Sequence, residues 1–142
     1  MKSRITNCIN ESIKVKELLL TNSDTLNNIE EIVVKSVEAF SADKKMLLCG
    51  NGGSSSDAQH IAAELSGRFY KDRPPLYAEA LHVNSSYITA VANDYGYEET
   101  FARMVEAAGR KGDILLGIST SGVSPNVIKA IKKAKDIGML TV

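Results

Sequence analysis

Met46-Leu47-Leu48-Cys49-Gly50-Asn51-Gly52-Gly53-Ser54-Ser55-Ser56-Asp57 is the stretch of sequence that decides the fold. Its apolar start, Met46 to Cys49, predicts a short buried strand, and glycines and serines then lead to a helical pattern that opens at about Asp57. Glycines let the backbone approach a ligand closely, and a helix start offers unpaired N–H groups to an anion. The stretch therefore predicts a strand, a phosphate-sized loop and a helix.

A second loop with the same character runs from Ser119 to Ser124, after an apolar run at 113–118 and before Pro125, which suits the first turn of a helix. Hydroxyls that can donate to one anion are those of Ser119, Thr120, Ser121 and Ser124. Taken alone, an ordinary serine-rich turn that caps a helix explains this loop equally well. Two such loops after two strands favour a phosphate ester as the ligand.

The alternation of strands and helices predicts an open parallel sheet with helices on both faces, which binds ligands at the carboxyl ends of its strands. Strands are predicted at 46–49, 77–81, 113–118 and 139–142, and helices precede the first strand at 3–20 and 26–42. These two helices either pack on a neighbouring subunit or cover the sheet of their own subunit. We expect one domain, with a helical arm at 1–42 and an α/β core at 43–142. Because the sequence stops inside the fourth strand, we expect part of the protein to be missing.

Composition excludes several classes of partner. Seventeen basic and seventeen acidic residues cancel, so no nucleic-acid or anionic-membrane surface is expected. The apolar runs are too short to span a bilayer, and the N-terminus lacks the pattern of a secretory signal, so we expect a cytoplasmic protein. Cys8 and Cys49 imply no disulfide scaffold, and Cys49 is interpreted as a buried core residue.

Other polar residues are candidates for chemistry. His60 and Glu64 lie four residues apart on one helical face, so they could bind a divalent metal, most simply zinc, or act as acid and base; a surface ion pair is the commoner role of such a pair. Asn93 and Asp94 occupy a predicted turn and could bind a polyol, although simple Asx-turn chemistry also explains them. Neither a Walker A pattern nor a dinucleotide-binding fingerprint is present, which disfavours ATP and NAD.

The combination of motifs resembles the phosphoheptose isomerases, which are sugar-isomerase (SIS) domain proteins. The matching segments are Asn51 to Ser54, Asp57 to His60, Ala63 to Arg68, Ala92 to Asp94, Gly117 to Ser124 and Val127 to Ala130. The resemblance implies a flavodoxin-like αβα sandwich, a homotetramer, and conversion of sedoheptulose 7-phosphate to D-glycero-D-manno-heptose 7-phosphate for bacterial lipopolysaccharide or capsule.

The resemblance also implies roles for individual residues. The implied substrate-binding residues are Asn51, Gly52, Gly53, Asn93, Asp94, Ser119, Thr120, Ser121 and Ser124, of which the serine-loop members hold the phosphate. His60 and Glu64 match zinc ligands, and Glu64 also matches the proposed catalytic carboxylate. One zinc per subunit is expected, with its two remaining ligands, a glutamine and a histidine, beyond residue 142.

Two alternatives stay open. Similar SIS proteins are non-catalytic regulators that bind the replication initiator protein, and an SIS module could also only sense a sugar phosphate. In the regulator, the position of Glu64 is not acidic and Ser121 is replaced by arginine. This sequence keeps Glu64 and Ser121, which favours the enzyme.

Overall fold

The computed structural model describes all 142 residues and divides into two compact units, Met1–Val37 and Glu38–Val142. In chain order the elements are α1 (Lys2–Leu20), α2 (Ser23–Ser41), β1 (Met46–Gly50), α3 (Gly53–Ser66), β2 (Ala78–Ala80), α4 (Ser85–Tyr95), a 3-10 turn (Tyr97–Glu99), α5 (Thr100–Ala108), β3 (Ile114–Ile118), α6 (Pro125–Ile137) and β4 (Leu140–Thr141).

The first unit consists of α1 and most of α2, which follow the predicted helical spacing. Asn22 lies before α2, and its Oδ1 accepts a hydrogen bond from the backbone N–H of Thr25 at 3.0 Å, so α2 begins earlier than residue 26. Neither helix contains a buried residue. Their exposed large apolar side chains are Ile5, Ile9, Ile13, Val15, Leu18, Leu19, Leu20, Leu26, Ile29, Val33, Val34 and Val37.

The second unit is built on a sheet of four parallel strands in the order β2-β1-β3-β4. The prediction of an open parallel sheet is confirmed. β1 and β3 pair in register along their whole length, from Met46 opposite Ile114 to Gly50 opposite Ile118. All five residues of β1 are buried, as expected of a central parallel strand covered on both faces.

Side chains alternate between two apolar clusters, one on each face of this sheet. Leu47, Cys49 and Leu115 belong to the first cluster, together with residues of α5 and α6. Met46, Leu48 and Ile114 belong to the second, together with residues of α3. The unit is therefore the predicted flavodoxin-like αβα sandwich.

Besides the start of α2 and small shifts at the strand ends, three predicted boundaries differ from the structure. α3 begins at Gly53 rather than at about Asp57, because Gly52 turns the chain immediately with a φ of 56°. α4 continues to Tyr95, so Asn93 and Asp94 lie in its last turn and not in a loop. The residues 38–42 group with the α/β unit instead of the arm, because Ala39 and Phe40 pack on the second apolar cluster.

No helix in the chain combines the length and the apolar character that crossing a membrane requires.

Asp113, which is only 2% exposed, joins the starts of two central strands. Its Oδ1 accepts from the backbone N–H of Lys45 at 3.2 Å, and its Oδ2 accepts from the backbone N–H of Arg110 at 2.8 Å. The Lys45 ammonium lies 2.6 Å from Oδ2. Both carboxylate oxygens are therefore needed as acceptors.

We predict that Asp113→Asn lowers the free energy of unfolding by about 2 to 4 kcal/mol, because either orientation of the amide turns an NH₂ group toward one of the donors that the buried carboxylate accepts from. Denaturant titration measures this loss. Asp136→Asn is the matched control, since Asp136 is exposed on α6 and should change stability by less than about 0.5 kcal/mol. Equal stability of the two variants would contradict the role given to Asp113.

Candidate functional site

Two loops leave the sheet side by side at its carboxyl edge. Gly50, the last residue of β1, is opposite Ile118, the last residue of β3. The Asn51 loop and the Ser119 loop therefore begin side by side, at the ends of two adjacent strands. This edge, between β1 and β3, is where the order of a flavodoxin-like sheet reverses and where such folds bind ligands.

The first loop is short because the strand and the helix approach each other closely. A Cβ atom on Gly50 would lie 2.7 Å from the backbone oxygen of Ser54, so no other residue fits without displacing α3. The loop is reduced to Asn51 and Gly52, and Gly53 already begins the helix. The exposed backbone at Gly52 and Gly53 places a helix N-terminus at the sheet edge, where it favours an anionic or polar ligand.

The second loop contains a cluster of hydroxyls centred on Ser119. Its Oγ lies 3.3 Å from Oγ of Ser121 and 3.1 Å from Oγ of Ser124, and it accepts a hydrogen bond from the backbone N–H of Gly122 at 3.1 Å. Thr120 is exposed in the same loop. The four predicted phosphate-binding residues thus share one small loop at the start of α6, where hydroxyl groups and the helix dipole can stabilise the same anion.

His60 and Glu64 lie together on α3, with Nε2 of His60 3.3 Å from Oε1 of Glu64. The His60 side chain is 76% exposed and that of Glu64 is 36% exposed. Both line an open pocket of about 500 Å³ that is otherwise mainly apolar. His60 is seven residues into α3, which corresponds to about 10 Å along the helix from Gly53. No hydrogen bond connects the pair to either loop.

Zinc in proteins is normally held by four ligands, or by three ligands and a water. The chain contains no group of three or more His, Cys, Asp or Glu side chains that could hold a metal ion. His60 and Glu64 have suitable donor atoms and face the same pocket, so they fit as two ligands of such a site but not as a complete set.

Arg73, which was not singled out in the sequence, fixes the end of the helix that carries Glu64. Its Nη2 donates to the backbone oxygen of Glu64 at 3.1 Å, and its Nη1 donates to that of Leu65 at 2.9 Å. Backbone oxygens in the last turn of a helix lack partners within the helix. The guanidinium supplies those partners, and so restricts the backbone from which Glu64 projects.

Asn93 and Asp94 lie apart from these groups. The Nδ2 of Asn93 donates to Oδ1 of Asp94 at 2.9 Å, and both residues are exposed. Asp94 lines a separate pocket of about 340 Å³ with Tyr95 and Arg103. The structure therefore places the Asn51 loop beside the serine loop and pairs His60 with Glu64, but no hydrogen bond joins those groups to the Asn93–Asp94 pair.

Cys49 lies at the end of β1, within the core and next to the first loop. It is fully buried, and this burial raises the pKa of its thiol to about 12. The thiol is therefore protonated at neutral pH and is a poor nucleophile. The interpretation of Cys49 as a core residue is confirmed.

Asn126 is a second polar residue that the sequence did not reveal as part of the site. It is 2% exposed, in the first turn of α6. Nδ2 of Asn51 donates to Oδ1 of Asn126 at 2.9 Å, and Nδ2 of Asn126 donates back to Oδ1 of Asn51 at 2.8 Å. Tyr97 adds a bond from its hydroxyl to Oδ1 of Asn51 at 3.1 Å. In the sequence, the only local indication that Asn126 belongs to the site is the Pro-Asn pair that follows a serine-rich loop.

Comparison with known proteins gives a consistent result. A family model described as the SIS domain matches residues 12–142. The chain is 49% identical over all 142 residues to a phosphoheptose isomerase of Clostridium acetobutylicum, and 47% identical over the same residues to one of Aneurinibacillus thermoaerophilus. It covers 72% of the length of each of these relatives.

Two solved structures of phosphoheptose isomerases also superpose on the chain over nearly its whole length. A phosphoheptose isomerase from Neisseria gonorrhoeae superposes with a TM-score of 0.81 at 40% identity, over 99% of this chain and 72% of that one. A phosphoheptose isomerase from Francisella tularensis superposes with a TM-score of 0.83 at 36% identity, over 98% of this chain and 72% of that one.

Proposed function

This chain belongs to the SIS domain family, and from that membership we propose that the protein is a sugar-phosphate isomerase that converts sedoheptulose 7-phosphate to D-glycero-D-manno-heptose 7-phosphate. The observation that supports the proposal most directly is the match over all 142 residues to relatives named phosphoheptose isomerase. The product would supply heptose units for bacterial lipopolysaccharide or capsule.

In this proposal the serine loop binds the phosphate group. Ser119, Thr120, Ser121 and Ser124 offer hydroxyls at the start of α6, and the hydrogen bonds among three of them hold the cluster together before a ligand arrives. The phosphate lies far from the carbons that react. Its binding energy can therefore serve to orient the open-chain sugar.

The reacting end of the sugar would extend toward α3. Asn51, Gly52 and Gly53 would contact its hydroxyls, as would Asn93 and Asp94. Isomerisation of a ketose to an aldose through an enediol requires a base that moves a proton between C1 and C2. We assign this role to Glu64, whose half-buried carboxylate faces the pocket on α3 and whose backbone is fixed by Arg73.

Zinc is also part of the proposal, with His60 and Glu64 as two of its ligands. The ion would polarise the carbonyl oxygen and stabilise negative charge there. A complete zinc site would need further ligands, because no third His, Cys, Asp or Glu joins the pair within this chain.

We further propose a homotetramer in which α1 and α2 contact other subunits. The support is the set of exposed apolar residues on these helices, which exceeds what a solvated surface helix needs.

The two free cysteines suit a reducing compartment, which agrees with a cytoplasmic enzyme. No observation favours the regulator that binds a replication initiator or the sugar-phosphate sensor.

We predict that Glu64→Gln lowers kcat for sedoheptulose 7-phosphate by about 10²- to 10⁴-fold, because the amide cannot accept the proton. Inorganic phosphate should inhibit the wild type and this variant alike. Glu38→Gln is the matched control, since the Glu38 side chain is exposed and lies outside the proposed site. Absence of turnover by the wild type would refute the proposed function, and normal turnover by Glu64→Gln would refute the assigned base.

Metal analysis of the purified protein should find one zinc per subunit, and His60→Ala should lower this content. Chelation should abolish turnover, and added zinc should restore it. Full activity of metal-free protein would exclude the metal role of His60 and Glu64 while leaving the isomerase proposal intact.

Sedimentation equilibrium should give four times the subunit mass for the wild type and a lower mass for Ile9→Asp, which places a charge among the apolar residues of α1. Asn7→Asp adds the same charge on the opposite face of α1 and should leave the mass unchanged. A monomeric wild type would contradict the proposed assembly.

A further inference from the structure

The amide pair of Asn51 and Asn126 joins the two substrate loops. Asn51 follows β1 directly, and Asn126 is the second residue of α6, which begins directly after the serine loop. The two residues are 75 positions apart in the chain. Their two mutual hydrogen bonds therefore form a direct side-chain link between the predicted sugar-binding loop and the predicted phosphate-binding loop.

The backbone determines which way this pair is oriented. The N–H of Val127, in the first turn of α6, donates to Oδ1 of Asn126 at 3.0 Å. This bond requires an oxygen at that position, so Nδ2 of Asn126 must face Asn51. Oδ1 of Asn51 then has to accept, and its Nδ2 has to donate. The start of α6 thus sets the orientation of the Asn51 side chain.

Tyr97 strengthens the same arrangement from a third element. Its hydroxyl is the second donor to Oδ1 of Asn51. The two residues after Tyr97, Glu98 and Glu99, each lie 2.6 Å from the ammonium of Lys129. Lys129 is three residues after Asn126 and so lies near it on the same side of α6. One helix therefore supplies Asn126 and also anchors the turn that carries Tyr97.

The hydrogen-bonding capacity of Asn51 is almost fully used. Its Oδ1 accepts from Asn126 and from Tyr97, which occupies both acceptor positions, and one of its two Nδ2 hydrogens is donated to Asn126. Of its side-chain groups, only the other Nδ2 hydrogen remains for a ligand, and the backbone oxygen already accepts from the N–H of Ser54 at 3.0 Å. Asn51 can thus offer donors to a sugar oxygen but no side-chain acceptor.

We infer that Asn126 is a positioning residue for the isomerisation: through its reciprocal bonds with Asn51, it holds the sugar-binding loop at a fixed place relative to the phosphate-binding serine loop. It has no direct contact with substrate in this role. The inference rests on the proposed function for its effect on catalysis. The link itself is a property of the fold and can be tested separately.

Asn126→Asp tests the link with the smallest change of shape. One carboxylate oxygen can still accept from Val127 and Asn51, but the other replaces Nδ2 and faces Oδ1 of Asn51, where a hydrogen bond becomes a repulsive contact. The new charge lies in the first turn of α6, where the helix dipole favours it. The variant should therefore fold, with the defect concentrated at the Asn51 loop.

We expect kcat for sedoheptulose 7-phosphate to fall by about 10- to 100-fold in Asn126→Asp, because the reacting end of the sugar is misplaced. The inhibition constant of inorganic phosphate should stay within about twofold of the wild-type value, because the serine hydroxyls are untouched. Tyr97→Phe removes one bond to Asn51 and keeps the pair, so kcat should fall by only about 2- to 10-fold.

Hydrogen exchange measures the link without reference to activity. In Asn126→Asp, a peptide covering residues 50–56 should exchange faster than in the wild type, whereas a peptide from α5 should be unchanged. The matched control is Asn84→Asp, because Asn84 caps α4 through an oxygen that aspartate retains. This control should alter neither exchange nor kinetics.

Unchanged exchange at residues 50–56 in Asn126→Asp would overturn the inference. So would a loss of phosphate inhibition and of kcat by the same factor, since that result indicates a general structural role. If the wild type does not isomerise sedoheptulose 7-phosphate, the proposed function fails, and the exchange measurement still decides whether Asn126 holds the Asn51 loop.

Discussion

The in-register parallel pairing of β1 with β3 is the constraint on which the site depends. Both strands are apolar, both contribute to the clusters on the two faces of the sheet, and their last residues, Gly50 and Ile118, are directly opposite each other. A shift of one residue would turn each side chain of β1 to the other face and separate the two loops. Burial on both faces therefore fixes the register, and the register places the Asn51 and Ser119 loops together.

Buried polar groups complete this pairing at both ends of the strands. At the amino end, Asp113 bonds to backbone groups that precede β1 and β3. At the carboxyl end, Asn126 bonds to Asn51. An apolar core tolerates many arrangements of similar volume, whereas a buried polar group is stable only where its partners lie at the right distance and angle. These residues thus favour one arrangement of the strands and of the loops that follow them.

The proposed site has a well-defined phosphate end and a less enclosed reacting end. Ser119 and its neighbours form a hydrogen-bonded cluster that is closed by the turn at Gly122. His60 and Glu64, in contrast, lie in an open pocket, and the His60 side chain is 76% exposed. Electrostatic catalysis works best where water is excluded. The open pocket therefore leaves the proposed reacting end accessible to water.

The sequence by itself determined the type and order of the main elements, the two glycine- and serine-rich loops and the face shared by His60 and Glu64, because these depend on spacing over a few residues. Resemblance added the roles that are proposed for those residues. Only the tertiary structure revealed the early start of α3, which follows from the close approach of Gly50 to Ser54, and the bond between Asn51 and Asn126. Contacts between residues 75 positions apart depend on strand order and register, and no local pattern encodes them.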